Sequence, residues 1–304
     1  MSSTPIAVWH AFAKINRDLR VFAERPDGYH SVETVIQTIE LADEIRIYPS
    51  RAFHFTSSGS PQNESNLVVR AVRAFEEASG IKVSLHIDLA KRVPVGRGLG
   101  GGSSDAAVTL MGLDRHFGVG LPGEDMQRLM AALGSDVPFF WVGGRVLGVG
   151  RGEQLFPLPD APDSWLVLVC PRLEVSTAEA YSWLTQTTES TKILSFCARF
   201  LPELSGGESE GGDRANDFEE PLFRRFPELA EIKRVLLASG ARLAAVSGSG
   251  SAVFGEFETE SAAGRAAALL REDDVREDDV RIVRPLRRSE YARRMFQSSE
   301  PRAR

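Results

Sequence analysis

Residues 94–105 read Pro94-Val-Gly-Arg-Gly-Leu-Gly-Gly-Gly-Ser-Ser-Asp105. Gly96, Gly98, Gly100, Gly101 and Gly102 are five glycines within eleven residues, 94–104. An alternating stretch precedes them at 82–89, with Val83, Leu85, Ile87 and Leu89 on one face of a strand. An apolar-periodic stretch follows at 103–117, ended by Gly118, and predicts a helix. A glycine-dense segment between a strand and a helix N-terminus can cradle an anion. Bare backbone approaches phosphate oxygens closely, and the unpaired N–H groups of the first helical turn point at the same place. Ser103 and Ser104 add hydroxyls, and a side chain at Gly101 is expected to intrude where backbone meets phosphate. The Gly-Lys-Ser/Thr ending of a Walker A loop is absent. Gly96-x-Gly98-x-x-Gly101 matches the dinucleotide pattern literally, but Asp114, the nearest acidic candidate for a ribose, falls inside the helix. A nicotinamide cofactor is therefore disfavoured.

Working outward, residues 66–79 predict a helix, with Leu67, Val68, Ala71, Val72 and Phe75 at helical spacing and Gly80 as its stop. Nearer the N-terminus, Ala11, Ala13 and Ile15 share one face of a strand, and Leu19, Val21 and Ala23 continue a second. Arg25-Pro-Asp-Gly28 is a turn, and 32–41 and 43–48 read as further strands. Downstream come a helix at 123–133, a strand at 165–170 opening a second domain, a helix at 227–239 and an apolar segment at 241–246. Residues 205–215 have the composition of a mobile surface loop, and 271–280 are a solvated direct repeat, REDDV REDDV. Strands and helices alternate without a βαβ rhythm, so the fold class is α+β. The domains expected are 1–160 and 161–289, with a basic, disordered tail at 290–304.

The chain has 304 residues, 42% apolar and 26% charged, long enough for sizeable cores without metal or disulfide staples. Its net charge of −6 argues against a nucleic-acid partner. No apolar run approaches a membrane span, and the N-terminus carries no secretory pattern. Cys170 and Cys197 lie in apolar runs without ligand spacing, which predicts reduced thiols and a cytoplasmic protein. His10, His54, His86 and His116 show no metal-ligand spacing. Only five of 36 basic residues are lysines, so Lys14, within Ala11-Phe-Ala-Lys-Ile-Asn16, stands out.

The segment PVGRGLGGGSSDAA resembles the central phosphate-binding motif of the GHMP kinases (galactose, homoserine, mevalonate and phosphomevalonate kinases). AFAKIN at 11–16 and AVSGSGSAVF at 245–254 resemble that family's N-terminal and C-terminal motifs, in the same order. DGYH at 27–30, GSDVPFF at 134–140, GGRVLGVGRGE at 143–153 and NDFE at 216–219 narrow the resemblance further. They are similar to the branch serving the non-mevalonate isoprenoid route, whose acceptor is a cytidyl-diphospho sugar alcohol phosphorylated on its 2-hydroxyl.

The resemblance implies a two-domain fold, ribosomal-protein-S5-like then ferredoxin-like, with ATP as co-substrate and Mg2+ on ligands it does not identify. It implies Lys14 and Asp136 as the catalytic pair and Asn16 as a holder of the reacting hydroxyl. Tyr29 and His30 correspond to contacts of the cytosine end, with Thr177 and Tyr181 closing on the other face of the base. Asn66, Leu67 and Lys91 correspond to positions near the adenine nucleoside. Pro94, Val95, Gly96, Arg97, Gly98, Leu99, Gly100, Gly101, Gly102, Ser103 and Ser104 correspond to the ATP phosphate loop. One departure is Arg17-Asp18, which stands where the family has an apolar residue and disturbs the expected strand packing.

The residues carry sense beside the family. Phosphoryl transfer to an alcohol needs a positioned nucleophile, a proton acceptor and a charge to stabilise the transition state. Asp136, in a turn before an apolar strand, and Lys14, on a strand of small and apolar neighbours, can supply the last two. Other readings are a GHMP kinase for a different small alcohol and a silent nucleotide-binding relative. The presence of both Lys14 and Asp136 weighs against the second.

Overall fold

The computed structural model describes residues 4–26, 28–160, 162–184, 216–272 and 279–296. Asp27, Cys197, the segment 205–215 and most of the REDDV repeat lie outside the described residues.

Two long strands, β1 (Ala7–Glu24) and β2 (His30–Pro49), form an antiparallel hairpin. Four shorter strands are expected here. The chain instead runs on through β-bulges, with register shifts between Phe12 and Lys14, Asn16 and Asp18, and Val21 and Glu24. Each bulge inserts an unpaired residue and re-aims the side chains beyond it, so a strict alternation breaks while the strand continues. β3 (His54–Ser58), β4 (Leu85–Ala90), β5 (Arg145–Val149) and β6 (Gln154–Pro157) complete the first sheet, ordered β3-β4-β2-β5-β6 with β1 on β2. β4 begins later than the 82–89 alternation predicts.

Helices α1 (Leu67–Ser79), α2 (Gly101–Phe117), α3 (Gly123–Leu133) and α4 (Phe139–Val142) cover one face of this sheet. The apolar strand expected after Asp136 is corrected to the helical turn α4, closed by the Gly143 N–H on the Phe139 carbonyl. α1 is set by local signals. The Asn66 side chain accepts from the Val68 N–H at its start, and Gly80 closes it in the left-handed conformation at φ 72°. Val68, Val72 and Phe75 meet Trp9, Ile45, Ile87 and Leu110 in the first core.

The second sheet, ordered β10-β7-β9-β8, contains β7 (Trp165–Val169), β8 (Leu243–Val246), β9 (Val253–Phe257) and β10 (Val280–Val283), all antiparallel. Helices α5 (Thr177–Ser182), α6 (Glu219–Arg225), α7 (Pro227–Ala238) and α8 (Glu260–Glu272) accompany it. Its second core also receives Leu19, Val21 and Val32 from the tip of the β1–β2 hairpin. A third apolar cluster joins Ala13, Ile15 and Ile39 of that hairpin to Leu166, Leu168, Ala245 and Phe254. One hairpin is thus packed into both halves of the molecule.

Arg17 is buried in this arrangement, paired at 2.7 Å with the buried Glu256 of β9, which also takes Arg242 at 3.0 Å and the Ser164 hydroxyl at 2.7 Å. The departure at Arg17 is accommodated by an ion pair across the two sheets. The disordered tail expected at 290–304 is corrected in its described part, which belongs to α9 (Arg288–Met295). Tyr291 and Met295, four residues apart, bury one face against the first core, and the Tyr291 hydroxyl donates to the Phe140 carbonyl. Basic composition obscured that amphipathic spacing. Among the described residues no helix is long and apolar enough to cross a membrane.

Candidate active site

A cleft of about 430 Å³ runs along the glycine loop, lined from β1 and β2, the loop itself, Asp136, α5 and residues 248–249. The loop turns into α2 at Gly100, whose φ of 67° and ψ of 16° mark a left-handed cap, and no side chain satisfies the first helical N–H groups. Those donors, with the positive end of the helix dipole, suit phosphate oxygens. No acidic residue stands in the first turn to compete with an anion.

The loop is held from three directions. The Lys14 N–H donates to the Leu99 carbonyl at 3.0 Å, the Ala252 N–H to the Arg97 carbonyl at 3.1 Å, and the Ser247 hydroxyl to the Gly98 carbonyl at 2.9 Å. Gly98 has φ 75°, and a Cβ there would stand 2.0 Å from the Ser247 carbonyl oxygen. A Cβ on Gly101 would meet Val93 Cγ1 at 2.9 Å and Lys91 Nζ at 3.2 Å. The expectation that a side chain at Gly101 would intrude on phosphate is therefore corrected. Gly101 is required by packing from beneath the loop.

Beside the loop, the bulge between Phe12 and Lys14 turns Lys14 into the cleft, although its side chain is only 5% exposed. Its ammonium donates to Asn16 Oδ1 at 2.6 Å and stands 3.4 Å from the Asp136 carboxylate, which is 45% exposed. Asn16 Nδ2 donates to Thr34 Oγ1 at 2.8 Å, and the Asn16 N–H donates to Ser247 Oγ at 3.2 Å. Lys14, Asn16 and Asp136, named from sequence, are brought together.

Lys91 lines the cleft, but its ammonium lies between two buried carboxylates, Asp43 at 2.5 Å and Asp105 at 2.7 Å. Burial works against its charge, and the two carboxylates outweigh it and raise its pKa. Burial likewise pushes the Asp105 carboxyl up to about 8 against the pull of Lys91. Asp43 Oδ1 also accepts from the Val93 N–H at 2.8 Å, so this triad fixes the strand leading into the loop. Asn66 and Leu67 line the same end of the cleft, with Asn66 Nδ2 donating to the Pro61 carbonyl at 2.8 Å. Pro94, Val95, Gly96, Arg97, Leu99, Gly102 and Ser103 also line it, whereas Ser104 is fully buried and does not.

At the opposite end Thr177 and Tyr181 line the cleft. Tyr29 and His30 stand at its rim, beside the lining residues Arg151 and Tyr181. His30 Nδ1 lies 2.8 Å from the Phe22 carbonyl, an acceptor only, which puts a proton on Nδ1. Its ring stacks on Tyr181 with centroids 5.2 Å apart, and Tyr181 meets Phe218 edge-on at 4.9 Å. Burial, then the Asp136 charge, pushes the Tyr181 phenol up to about 12. Tyr29 is 53% exposed, with the Arg151 guanidinium 4.9 Å above its ring. His30 rather than Tyr29 is the ring against Tyr181.

Sequence reasoning passed over Thr34, Arg151, Asn216 and Ser249. Arg151 sat in the GGRVLGVGRGE stretch and Asn216 in NDFE, both noticed without a role. Asn216 is buried and donates to the carbonyls of Val246 at 2.9 Å and Gly248 at 2.7 Å, clamping the glycine segment that faces Lys14.

The family model described as "GHMP kinases N terminal domain" matches residues 66–144, and "GHMP kinases C terminal" matches 199–274. A 4-diphosphocytidyl-2-C-methyl-D-erythritol kinase of Solibacter usitatus is 44% identical over 90% of this chain and 88% of its own length. The protein is a GHMP kinase. Within the GHMP kinases, a relative of the same name from Moorella thermoacetica is 41% identical over 86% of this chain and 94% of its own. The crystal structure of a 4-(cytidine 5'-diphospho)-2C-methyl-D-erythritol kinase superposes with TM-score 0.76 at 35% identity, covering 91% of this chain and 98% of that one. A homoserine kinase from Cytophaga hutchinsonii, TM-score 0.70 at 18% identity over 93% and 94% of the two chains, shares the GHMP fold.

Proposed function

We propose that this GHMP kinase transfers the γ-phosphoryl group of ATP to the 2-hydroxyl of 4-diphosphocytidyl-2-C-methyl-D-erythritol, a step of the non-mevalonate isoprenoid route. The observation that carries the reading is the Lys14–Asp136 pair, 3.4 Å apart beside the open N-terminus of α2. The loop N–H groups hold the phosphates. Asp136 takes the proton of the 2-hydroxyl as its oxygen bonds to the γ-phosphorus, and the bond to the β-phosphate oxygen breaks to release ADP. Lys14 stabilises charge on the reacting oxygen, and Asn16, expected to hold the reacting hydroxyl, has both ends of its amide taken by Lys14 and Thr34 and holds Lys14 in place instead. Asn66, Leu67 and Lys91 flank the adenine nucleoside. His30, Tyr181 and Thr177, with Tyr29 and Arg151 at the rim, receive the cytidine diphosphate end. The Nδ1 proton of His30 is committed to the Phe22 carbonyl, which leaves Nε2 to meet the cytosine edge.

Among the described residues no cluster of three His, Cys, Asp or Glu could hold a metal by itself. That suits Mg2+, which binds through substrate phosphates, waters and one or two protein oxygens. Ser103 lines the cleft at the start of α2 and would provide such an oxygen. A metal held there would supply positive charge to offset that of the phosphates during transfer. ATP and a nucleotide-linked acceptor are intracellular metabolites, and we assign the protein to the cytoplasm.

The test is coupled ADP release from the purified protein with the cytidyl acceptor, mevalonate, homoserine and galactose offered separately. Turnover is expected with the first. Asp136→Asn and Lys14→Met should each lower kcat by roughly 10²–10⁴-fold with acceptor Kd little changed. Faster turnover of mevalonate, or near-native kcat in both variants, would overturn the assignment.

A further inference from the structure

A carboxamide has an acceptor end and a donor end, and only one orientation of Asn16 serves Lys14. An ammonium only donates, so Asn16 must present Oδ1 to it, as it does at 2.6 Å. The amino end then needs an acceptor. Thr34, on the neighbouring strand β2, supplies its Oγ1 at 2.8 Å. A hydroxyl can also donate, so its own proton must be committed elsewhere for this to fix a direction. That proton goes to the Asp18 carbonyl at 2.6 Å, an oxygen that can only accept. The sequence of bonds is therefore one-way: Lys14 to Asn16, Asn16 to Thr34, Thr34 to Asp18. Turning the amide over would place its NH2 against the ammonium and withdraw the Thr34 proton from Asp18. Thr34, Asn16 and Lys14 are all buried, so water does not readily substitute for a missing partner.

We propose that Thr34 is a positioning residue for the phosphoryl transfer. Its hydroxyl locks the Asn16 amide, and the amide in turn holds the Lys14 ammonium in line with Asp136. This rests on the reading of Lys14 and Asp136 as the reacting pair. With one ammonium proton on Asn16 and another directed at Asp136, the third faces the cleft, where the reacting oxygen arrives. Thr34 acts through Asn16 and touches no reacting atom.

Steady-state kinetics of Thr34→Val and Thr34→Ser, alone and in an Asn16→Ala background, test the inference, with thermal melts to confirm folding. Thr34→Val, which keeps the shape and deletes the hydroxyl, should lower kcat about 10–100-fold while the KM for ATP stays within about twofold. Thr34→Ser, which keeps the hydroxyl, should recover kcat to within about threefold of the native value. In the Asn16→Ala background Thr34→Val should add less than about twofold, because residues acting as one unit are not additive. A purely packing role would instead add in full, and that result overturns the inference. So does native kcat in Thr34→Val, or a Thr34→Ser variant as slow as Thr34→Val. Should Thr34→Val not fold, Thr34→Ala is read through the same cycle. Lys14→Met separates the two layers. An inactive Lys14→Met beside an unimpaired Thr34→Val removes only the positioning role, whereas a fully active Lys14→Met removes the catalytic reading beneath it.

Discussion

Gly98 is the residue where the glycine loop, the Ser247 segment and β1 meet. A Cβ there would stand 2.0 Å from a backbone oxygen, and the φ of 75° is one that L side chains rarely adopt. Gly96, two residues earlier, has φ 69° but nothing within 4 Å of a built Cβ. The contrast makes a prediction. Gly96→Ala should cost only the left-handed penalty, about 1–2 kcal/mol, with the KM for ATP near native. Gly98→Ala should force the Ser247 segment away from the loop, lowering kcat at least about tenfold along with the melting temperature. Thermal melts and kinetics on the two variants check it, and equal effects would contradict it. Glycine density was legible in the sequence; the reason for each glycine was not. The atoms that forbid side chains at Gly98 and Gly100 belong to Ser247, Phe140 and Lys14, remote along the chain.

At the level of elements, legibility followed locality. α3 was readable to the residue, and α1 to within its cap, because the apolar spacing and stop signals lie within the segments themselves. The long hairpin was not, because its bulges reset the alternation and only the pairing of β1 with β2 shows that the strands continue. α9 was missed since its apolar face has meaning only against Phe12, 5.9 Å from Tyr291, and the first core. That helix also steadies the site. The Tyr291 hydroxyl donates to the Phe140 carbonyl in α4, which follows the Asp136 turn. Tyr291→Phe leaves that buried carbonyl short of a partner and should lower stability by about 1–3 kcal/mol. Denaturant unfolding would read this as a lower midpoint at unchanged slope, and the KM for ATP should stay native. An unchanged midpoint would show that α9 does not hold α4.

Across the whole molecule, the junction of the two sheets combines an apolar cluster with one buried charge network. Burial would raise the Glu256 carboxyl, but the charges and hydrogen bonds of Arg17, then Arg242 and Ser164, outweigh it and hold the pKa at about 2. A depressed carboxylate stabilises the folded state fully above its unfolded value near 4.5 and loses that contribution as pH falls toward 2. Unfolding free energy should therefore drop across that window. Glu256→Gln should flatten the drop while lowering stability at pH 7, because the buried Arg17 loses the Glu256 charge. Urea unfolding at a series of pH values measures both, and an unaltered pH slope in the variant would exclude Glu256 as the source. Here the sequence offered the clue without its answer: Arg17 looked misplaced because its partner lies 239 residues away.

The hydrogen bond between the Asn16 N–H and Ser247 spans 231 positions of chain, and that between Ser247 and Gly98 spans 149. Closing such loops costs conformational entropy before any reward from contact, and folds dominated by distant pairings form slowly. The Lys14 cluster consequently has no local precursor. Helices such as α1 can form from their own residues, but the geometry around Lys14 arises only when β1, the glycine loop and the Ser247 segment have found one another, which makes it a property of the finished fold and of no shorter stretch within it.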